Sequence, residues 1–487
     1  MGNQHGQSKI NSNSSDETDG QFSPKHLSST KGNTLKTACL SKLFEKLEQT
    51  AEGDNSHPGE ITRITFENAF HGPLHKFGAL FYQQMCSGTA DRDRATREQF
   101  IKAGKEVLKL FDESAQQKYY FKLFAGGKDH LTKDDTIQMV DVSYALTLAS
   151  SKISYSKTDH DDRVFDAVVS SMFGIKDTVT YDIFSKWLHW NCPHMFCGVH
   201  NWVYTILTGS KLPAECETTP VPQLERFGEG KSCLSMGSLW LLSATMPPVY
   251  THCEGDTPGL VNPMTGNDVQ QAVSGEISRT RRNDFFGLFQ ARLSQCQSWT
   301  LLYDSTEHGQ SLNRFSYHVS SYFGPTVTLF SFEGRNLYCV AEDTGWREGT
   351  TRFGGDDTMI IQVTPIYKVI QARGPLVMWN DHARDIPKGI SIGKDGRSTV
   401  LCLPKDFDKV KHYGVECNLN KVEVWGCGST KIHKAQIQQK TWEKRDVEKQ
   451  ASRKLRLETT WDENPDKQLL QWGGVEVNHQ HSRQGGW

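Results

Sequence analysis

Two short segments of the chain hold residue types that could do chemistry. The first carries Cys192, His194, Cys197 and His200 close together, and zinc favours four Cys or His ligands in a tetrahedral array. Their spacing matches no common zinc finger, and the segment directly follows a helical unit. We therefore interpret these residues as buried cysteines and hydrogen-bonded histidines of a helical core, and we predict no metal or other cofactor.

The second segment places Ser305 and Ser311 near His308 and Asp304. A nucleophile beside a base is the arrangement of covalent catalysis. However, the segment lacks the Gly-x-Ser-x-Gly elbow, and neighbours in sequence do not make a triad. We predict a turn formed by Asp304 or Ser305 and a helix cap formed by Ser311, and no catalytic residue.

Composition and charge narrow the class of protein. The 487 residues carry a net charge of -2, which gives no overall attraction to nucleic acid, so we predict no nucleic-acid partner. We find no apolar run long enough for a transmembrane helix and no apolar segment typical of a secretory signal. The twelve cysteines are scattered, which is typical of reduced thiols in a cytoplasmic protein.

The N-terminal segment, residues 1–34, is rich in Ser, Asn, Gly and Asp, and it buries too little apolar surface to offset its conformational entropy. We predict that it is disordered. Gly2 presents the amine that myristoylation requires, but Gly6 replaces the usual Ser or Thr. Two interpretations stay open: a lipid anchor at Gly2 or an ordinary N-terminus. One acyl chain would need a second membrane contact.

Residues 35–208 show helical periodicity, for example at Leu40, Leu43, Phe44 and Leu47. Segments 121–135 and 171–184 repeat one pattern: a helix, a glycine turn, an apolar residue, and a Thr that begins the next helix. This is the skeleton of an EF-hand. Segment 64–70 could complete a further copy.

Calcium binding does not follow from this skeleton. Calcium requires oxygen ligands at alternate loop positions. Those positions fall on Phe124, Gly126 and Lys128 in the first loop, and on Met172, Gly174 and Lys176 in the second. None of these side chains offers an oxygen. We predict degenerate, structural EF-hand-like pairs.

Residues 209–228 have the composition of a linker, and Leu239–Pro248 reads as a short buried element. From about residue 297, short period-two runs are separated by Gly, Asp and Pro, which predicts an antiparallel β-sandwich interrupted by one helix near 311–317. Thr326–Phe332 and Leu337–Ala341 predict a hairpin. Cys339 and Cys402 lie in apolar runs, so they make poor redox sensors.

The tail, residues 429–487, begins with a basic segment that nothing prevents from being helical. Ile437, Val447, Ala451 and Leu455 fall on one side of a helical wheel. Such a narrow stripe is only marginally stable alone. A helix that binds a partner and a solvated, half-formed helix stay open as interpretations.

Several blocks between Trp299 and Gly428 follow each other in a distinctive order. They are the run Trp299–Phe315, Gly324–Phe330, Gly345-Trp346, Arg352–Asp356 and Lys421–Gly426. This succession resembles the TLDc domain, which we place at residues 229–428. The resemblance implies an α+β chain: an all-helical EF-hand-like region, a two-sheet β-sandwich with flanking helices, and a C-terminal helix.

The resemblance also implies a function. TLDc domains resemble binding modules rather than enzymes, so the resemblance implies that this chain is not an enzyme. The layout of this chain resembles lysosome-bound animal members of the family, which bind the soluble catalytic sector of the vacuolar proton pump (V-ATPase) and are linked to mTOR signalling. It implies a regulatory adaptor at the lysosomal membrane. The alternatives are a scaffold for mTOR complex components and an oxidative-stress resistance factor.

Overall fold

The computed structural model describes residues 25–50, 59–70, 74–86, 94–110, 112–151, 153–208, 221–225, 232–251, 298–459, 469 and 472–474. Residues 1–24 of the segment that was predicted to be disordered, including Gly2, lie outside the described residues. Helix α1 begins at Lys25, ahead of the boundary at residue 35 that composition suggested. Among the described helices, none combines the length and the hydropathy that a membrane span requires.

The N-terminal half is helical, as predicted. Its helices are α1 (Lys25–Thr50), α2 (Arg63–Asn68), α3 (His75–Met85), α4 (Arg97–Val107), α5 (Glu113–Phe124), α6 (Lys133–Ser150), α7 (Asp159–Phe173), α8 (Tyr181–Asn191) and α9 (Cys197–Thr208). Short strands precede four of them and join in two antiparallel pairs. Strand β1 (Glu60–Thr62) pairs with β2 (Arg94–Thr96), and β3 (His130–Thr132) pairs with β4 (Thr178–Thr180).

The strand pairs confirm the EF-hand-like architecture. Leu131 lies opposite Val179, and both side chains are fully buried. Ile61 lies opposite Ala95, so segment 64–70 does belong to a second pair. In the loop before β3, the Lys128 ammonium pairs with the Asp135 carboxylate at 2.6 Å. A side-chain cation therefore lies beside Asp135, which belongs to the first turn of α6.

A short helical unit connects the two halves. Strand β5 (Gln223–Leu224) belongs to the predicted linker, and it is followed by α10 (Met236–Thr245) and α11 (Pro248–Thr251). The buried element that was predicted near Leu239 is α10. Its Leu239, Leu241 and Leu242 are fully buried, because it packs against α7 on one side and the following sheet on the other.

The C-terminal half is the predicted sandwich. Its strands are β6 (Ser298–Asp304), β7 (Thr326–Phe332), β8 (Asn336–Glu342), β9 (Met359–Thr364), β10 (Lys368–Ala372), β11 (Val377–Asn380), β12 (Gly389–Gly393), β13 (Thr399–Leu403), β14 (Lys409–His412) and β15 (Val415–Gly426). Helices α12 (Ser305–His308) and α13 (Leu312–Val319) follow β6. The β7–β8 hairpin is confirmed, whereas β11 and β14 were missed by sequence reasoning.

Strand β15 holds the sandwich together. Its first part pairs with β14, and its second part pairs with β7 on one side and β6 on the other. The resulting order is β10-β9-β8-β7-β15-β14-β13-β12-β11. These pairings are antiparallel, while β5 joins β6 in parallel. The long strand therefore belongs to both layers, and the chain between its two parts turns from one layer into the other.

Two hydrophobic cores result. The first core lies between the helices and one face of the β7–β9 layer. From that layer it includes Val327, Leu329, Cys339 and Ile361. The second core lies inside the sandwich. It takes the opposite face of the same strands, including Phe330, Val340 and Ile360, together with β11–β15. Strands β7 and β8 are thus buried on both faces.

The C-terminal helix is confirmed. Helix α14 spans Thr430–Thr459, within the basic segment with which the tail was predicted to begin. It starts directly after the last strand, so its first turns lie against the sandwich.

Candidate functional site

Helix α14 is attached to the sandwich by its first three turns. Ile432 packs against the second core. The carbonyl oxygen of His318, near the end of α13, accepts hydrogen bonds from Gln436 Nε2 at 3.0 Å and from Lys440 Nζ at 3.2 Å. The Lys440 ammonium also lies 5.5 Å from the centre of the Tyr317 ring. These contacts fix the direction in which the rest of the helix extends.

Beyond Lys440 the helix presents most of its side chains to solvent. Val447 is 65 % exposed and Ala451 is also exposed, and Ile437 beside the attached turns is 51 % exposed. Leu455 belongs to the helix, although its side chain lies outside the described part of the chain. The structure thus places the described members of the predicted stripe on the surface. Whether they bind a partner stays a prediction.

Sequence reasoning missed one residue of this helix. Trp442 is 66 % exposed, and tryptophan is enriched among the residues that dominate protein interfaces. It lies away from the predicted stripe on the helical wheel, so the search for one apolar side passed over it. At the base of the helix, Tyr317 and Phe323 are also largely exposed. Apolar side chains therefore mark both the projecting helix and the surface from which it emerges.

The Ser, His and Asp side chains after Trp299 have structural roles. Asp304 Oδ1 accepts hydrogen bonds from Thr306 and caps α12. His308 Nδ1 accepts the backbone N–H of Asp304 at 3.0 Å, and Ser305 Oγ accepts the backbone N–H of Val422. Ser311 caps α13 as predicted. Because these side chains bond to different backbone groups, they shape a turn that leads into the capped helix α13.

A buried ion network near β15 was not predicted from the sequence. Lys421 Nζ lies 2.9 Å from Asp304 Oδ2 and 2.7 Å from Glu423 Oε1. Burial alone would lower the pKa of Lys421, but the hydrogen bonds to Glu423 and Asp304 outweigh it and raise that pKa. Glu423 also accepts hydrogen bonds from Ser232 Oγ and from the backbone N–H of Cys233. The network therefore anchors the segment before α10 to the sheet.

A cleft of about 770 Å³ lies between α7 and the β7–β8 hairpin. Both carboxylate oxygens of the buried Asp161 in this cleft accept hydrogen bonds from protein groups. One accepts the hydroxyl and the N–H of Thr158, and the other accepts the N–H of Gly237. Cys233 also lines the cleft, and burial together with the Glu423 charge raises the pKa of its thiol. A protonated thiol is a weak nucleophile.

The two strand cysteines behave in the same way. Cys339 is fully buried and Cys402 is partly buried, and burial raises the pKa of both thiols. Low accessibility and a raised pKa both slow reaction with oxidants.

The Cys/His cluster before α9 is divided by the fold. Cys192 and His200 are buried, and His200 Nδ1 shares a hydrogen bond of 3.0 Å with the Tyr120 hydroxyl. Burial lowers the pKa of His200 to about 4. Cys192 and His200 are therefore core residues, as the sequence analysis predicted. His194 and Cys197 instead meet Glu113, which is distant in sequence.

Comparisons with known proteins agree with this architecture. No curated protein matches the chain. Residues 283–428 match the family model of the TLDc domain, a range that takes in the strands of the sandwich and both of its flanking helices, α12 and α13. The match begins well after residue 229, so it leaves α10 and α11 outside. Residues 283–428 of this chain therefore form a TLDc domain, and the helical region packs on the outer face of its sheet.

Proposed function

We propose that this protein is a regulatory adaptor that binds the soluble sector of the V-ATPase through its TLDc domain and helix α14. The TLDc domain by itself suggests a regulatory or oxidative-stress-related role. One observation supports the finer proposal. Helix α14 leaves the sandwich after Lys440 with Trp442 and Val447 exposed.

An exposed helix of this kind suits insertion between partner subunits. Amphipathic helices dock by laying apolar side chains into a groove. The TLDc surface around Tyr317 and Phe323 would form a second contact at the base of the same helix. Two linked contacts raise the apparent affinity through effective concentration.

The outer face of the β7–β9 layer is not available for such a partner. Its side chains, such as Val327 and Ile361, are fully buried under the helical region. The proposed contact therefore uses the α13–α14 side of the domain.

The test compares two double variants of helix α14. Ile437→Asp with Val447→Asp adds two charges to the predicted stripe and should reduce co-purification of V-ATPase subunits by tenfold or more, on the order of the cost of losing one interface anchor. Gln438→Asp with Gln450→Asp adds the same charge at exposed polar positions of the same helix. This control should retain binding. Equal recovery of the pump with both variants would reject the role of the stripe.

Membrane attachment is a separate part of the proposal. An acyl chain on Gly2 would hold the protein at the lysosomal membrane, where the pump supplies the second contact that one chain requires. Mass spectrometry of the N-terminal peptide tests this part. A free amine at Gly2 would reject it without affecting the helix α14 contact.

The alternative is a scaffold for mTOR complex components. A scaffold of this kind would bind through the same exposed side chains of helix α14. Pull-down from cells whose pump has been dissociated into its sectors separates them. Recovery of mTOR components without pump subunits would favour the scaffold.

A further inference from the structure

Glu113, His194 and Cys197 converge at the surface of the helical region. Glu113 is the first residue of α5, Cys197 is the first residue of α9, and His194 lies in the turn before α9. One potential ligand atom from each residue lies within 4.8 Å of the others. We propose that these three side chains form a Zn²⁺ site in which water takes the fourth position.

The distances suit a tetrahedral ion. Glu113 Oε1 lies 3.0 Å from His194 Nδ1 and 3.8 Å from Cys197 Sγ. Ligands at about 2.0–2.3 Å from zinc are separated by roughly 3.3–3.6 Å along the edges of a tetrahedron. These two separations lie on either side of this range, and the third, between His194 and Cys197, is at most 4.8 Å, so side-chain movements would be needed to close the shell.

The chemistry of the donors selects the metal. Calcium and magnesium prefer oxygen ligands, whereas a thiolate with an imidazole suits zinc. Three protein ligands with one open position are typical of zinc sites that bind water or a small molecule. A cavity of about 90 Å³ borders His194 and Cys197, but Glu113 does not line it.

The fold holds two of the ligands in place before any ion binds. The backbone N–H of His194 donates to the carbonyl oxygen of Ala244, at 3.0 Å, which ties the turn to the end of α10. The N–H of Cys197 donates to the carbonyl oxygen of His194 at 3.1 Å. The Glu113 side chain is 51 % exposed, so an ion can reach the site from solvent. On binding, the thiol proton leaves to solvent.

Cobalt substitution of the full-length protein tests the proposal. After chelation and dialysis, one equivalent of Co²⁺ should produce thiolate charge-transfer absorption and the intense visible bands of a tetrahedral ion, and Zn²⁺ should displace both. Cys197→Ser should abolish the thiolate absorption. Cys192→Ser removes a buried thiol that is not one of the three proposed ligands, and this variant should keep the thiolate absorption unchanged. His194→Gln and Glu113→Gln should each weaken Zn²⁺ binding roughly tenfold or more.

The alternative is a hydrogen-bonded Glu–His pair beside a thiol, without metal affinity. Wild-type protein that is folded by circular dichroism but gives no thiolate–cobalt absorption would overturn the proposal. So would a Cys197→Ser variant that retains that absorption. The wild-type spectrum decides the question even where a variant fails to fold.

Discussion

The two hydrophobic cores share strands β7–β9 but are built differently. The second core is closed by segments that follow one another within the TLDc domain. The first core joins helices from α1 onward to the opposite face of the same strands. It therefore depends on contacts between parts of the chain that are far apart in sequence. The helical region therefore contributes to the stability of the TLDc sheet and does not form a separate module.

Polar contacts distinguish the cores as well. Neutral hydrogen bonds cross the first core: Asn191 Oδ1 accepts the N–H of Val369, and the Tyr367 hydroxyl donates to the carbonyl oxygen of Leu241. At the edge of the second core, Glu342 is a fully buried carboxyl group. Both cores contain a titratable group, but burial lowers the pKa of His200 in the first core to about 4 and raises the pKa of Glu342 in the second to about 7. This difference can be tested by substitution.

The largest effect is expected from removing Tyr367. Its side chain is fully buried in the first core, and its hydroxyl lies 2.5 Å from Thr245 Oγ1 in α10. Tyr367→Ala should lower the free energy of unfolding by about 3–5 kcal/mol, because a large cavity opens between the helices and the sheet. Amide exchange should accelerate in α7 and α10 as well as in β9 and β10.

Phe330→Ala serves as the matched variant in the second core, where the ring is also fully buried. It should accelerate exchange first in the sandwich strands. Wild-type protection of α7 and α10 in Tyr367→Ala would show that the two regions are separable, which would break the comparison.

The shared core also explains what sequence reasoning could find. Local periodicity predicted the helices, the β7–β8 hairpin and α14, because those patterns lie within one segment. The Leu131–Val179 pair was predictable because the two EF-hand-like segments repeat. In contrast, no local pattern connects Glu113 to His194 or Lys421 to Asp304. These contacts arise only when distant segments pack, so a single sequence without packing information does not contain them.

Titration of the Glu342 carboxyl group in the second core should make the free energy of unfolding depend on pH, with an effect of intermediate size. Burial raises the pKa of Glu342 to about 7, against opposing hydrogen bonds from Thr344. Among the described residues, its Oε2 has no hydrogen-bond partner. The folded protein therefore holds a proton that the unfolded chain releases near its ordinary value of 4.5. Stability should fall as pH rises from 4.5 to about 7 and should then level off.

Glu342→Gln removes this titration and retains an acceptor for Thr344. The variant should match the wild type near pH 4.5 and exceed it at alkaline pH by up to about 3 kcal/mol. Denaturant unfolding across this pH range measures the difference. A constant difference between the two proteins would mean that the carboxyl group is not the buried charge that distinguishes the second core.

The smallest effect compares the two halves of the EF-hand-like pair within the first core. Thr132 Oγ1 accepts the backbone N–H of Asp135, and the Asp135 carboxylate accepts the N–H of Thr132, which forms a complete capping box for α6. Thr180 occupies the same place before α8, but its side chain makes no cap hydrogen bond. Thr132→Ala should therefore cost about 1 kcal/mol, and Thr180→Ala no more than a few tenths. Thermal unfolding of the two variants measures both costs. Equal costs would mean that the strand pair, and not the cap, sets the start of each exiting helix, since β3 and β4 hold both threonines in the same ladder.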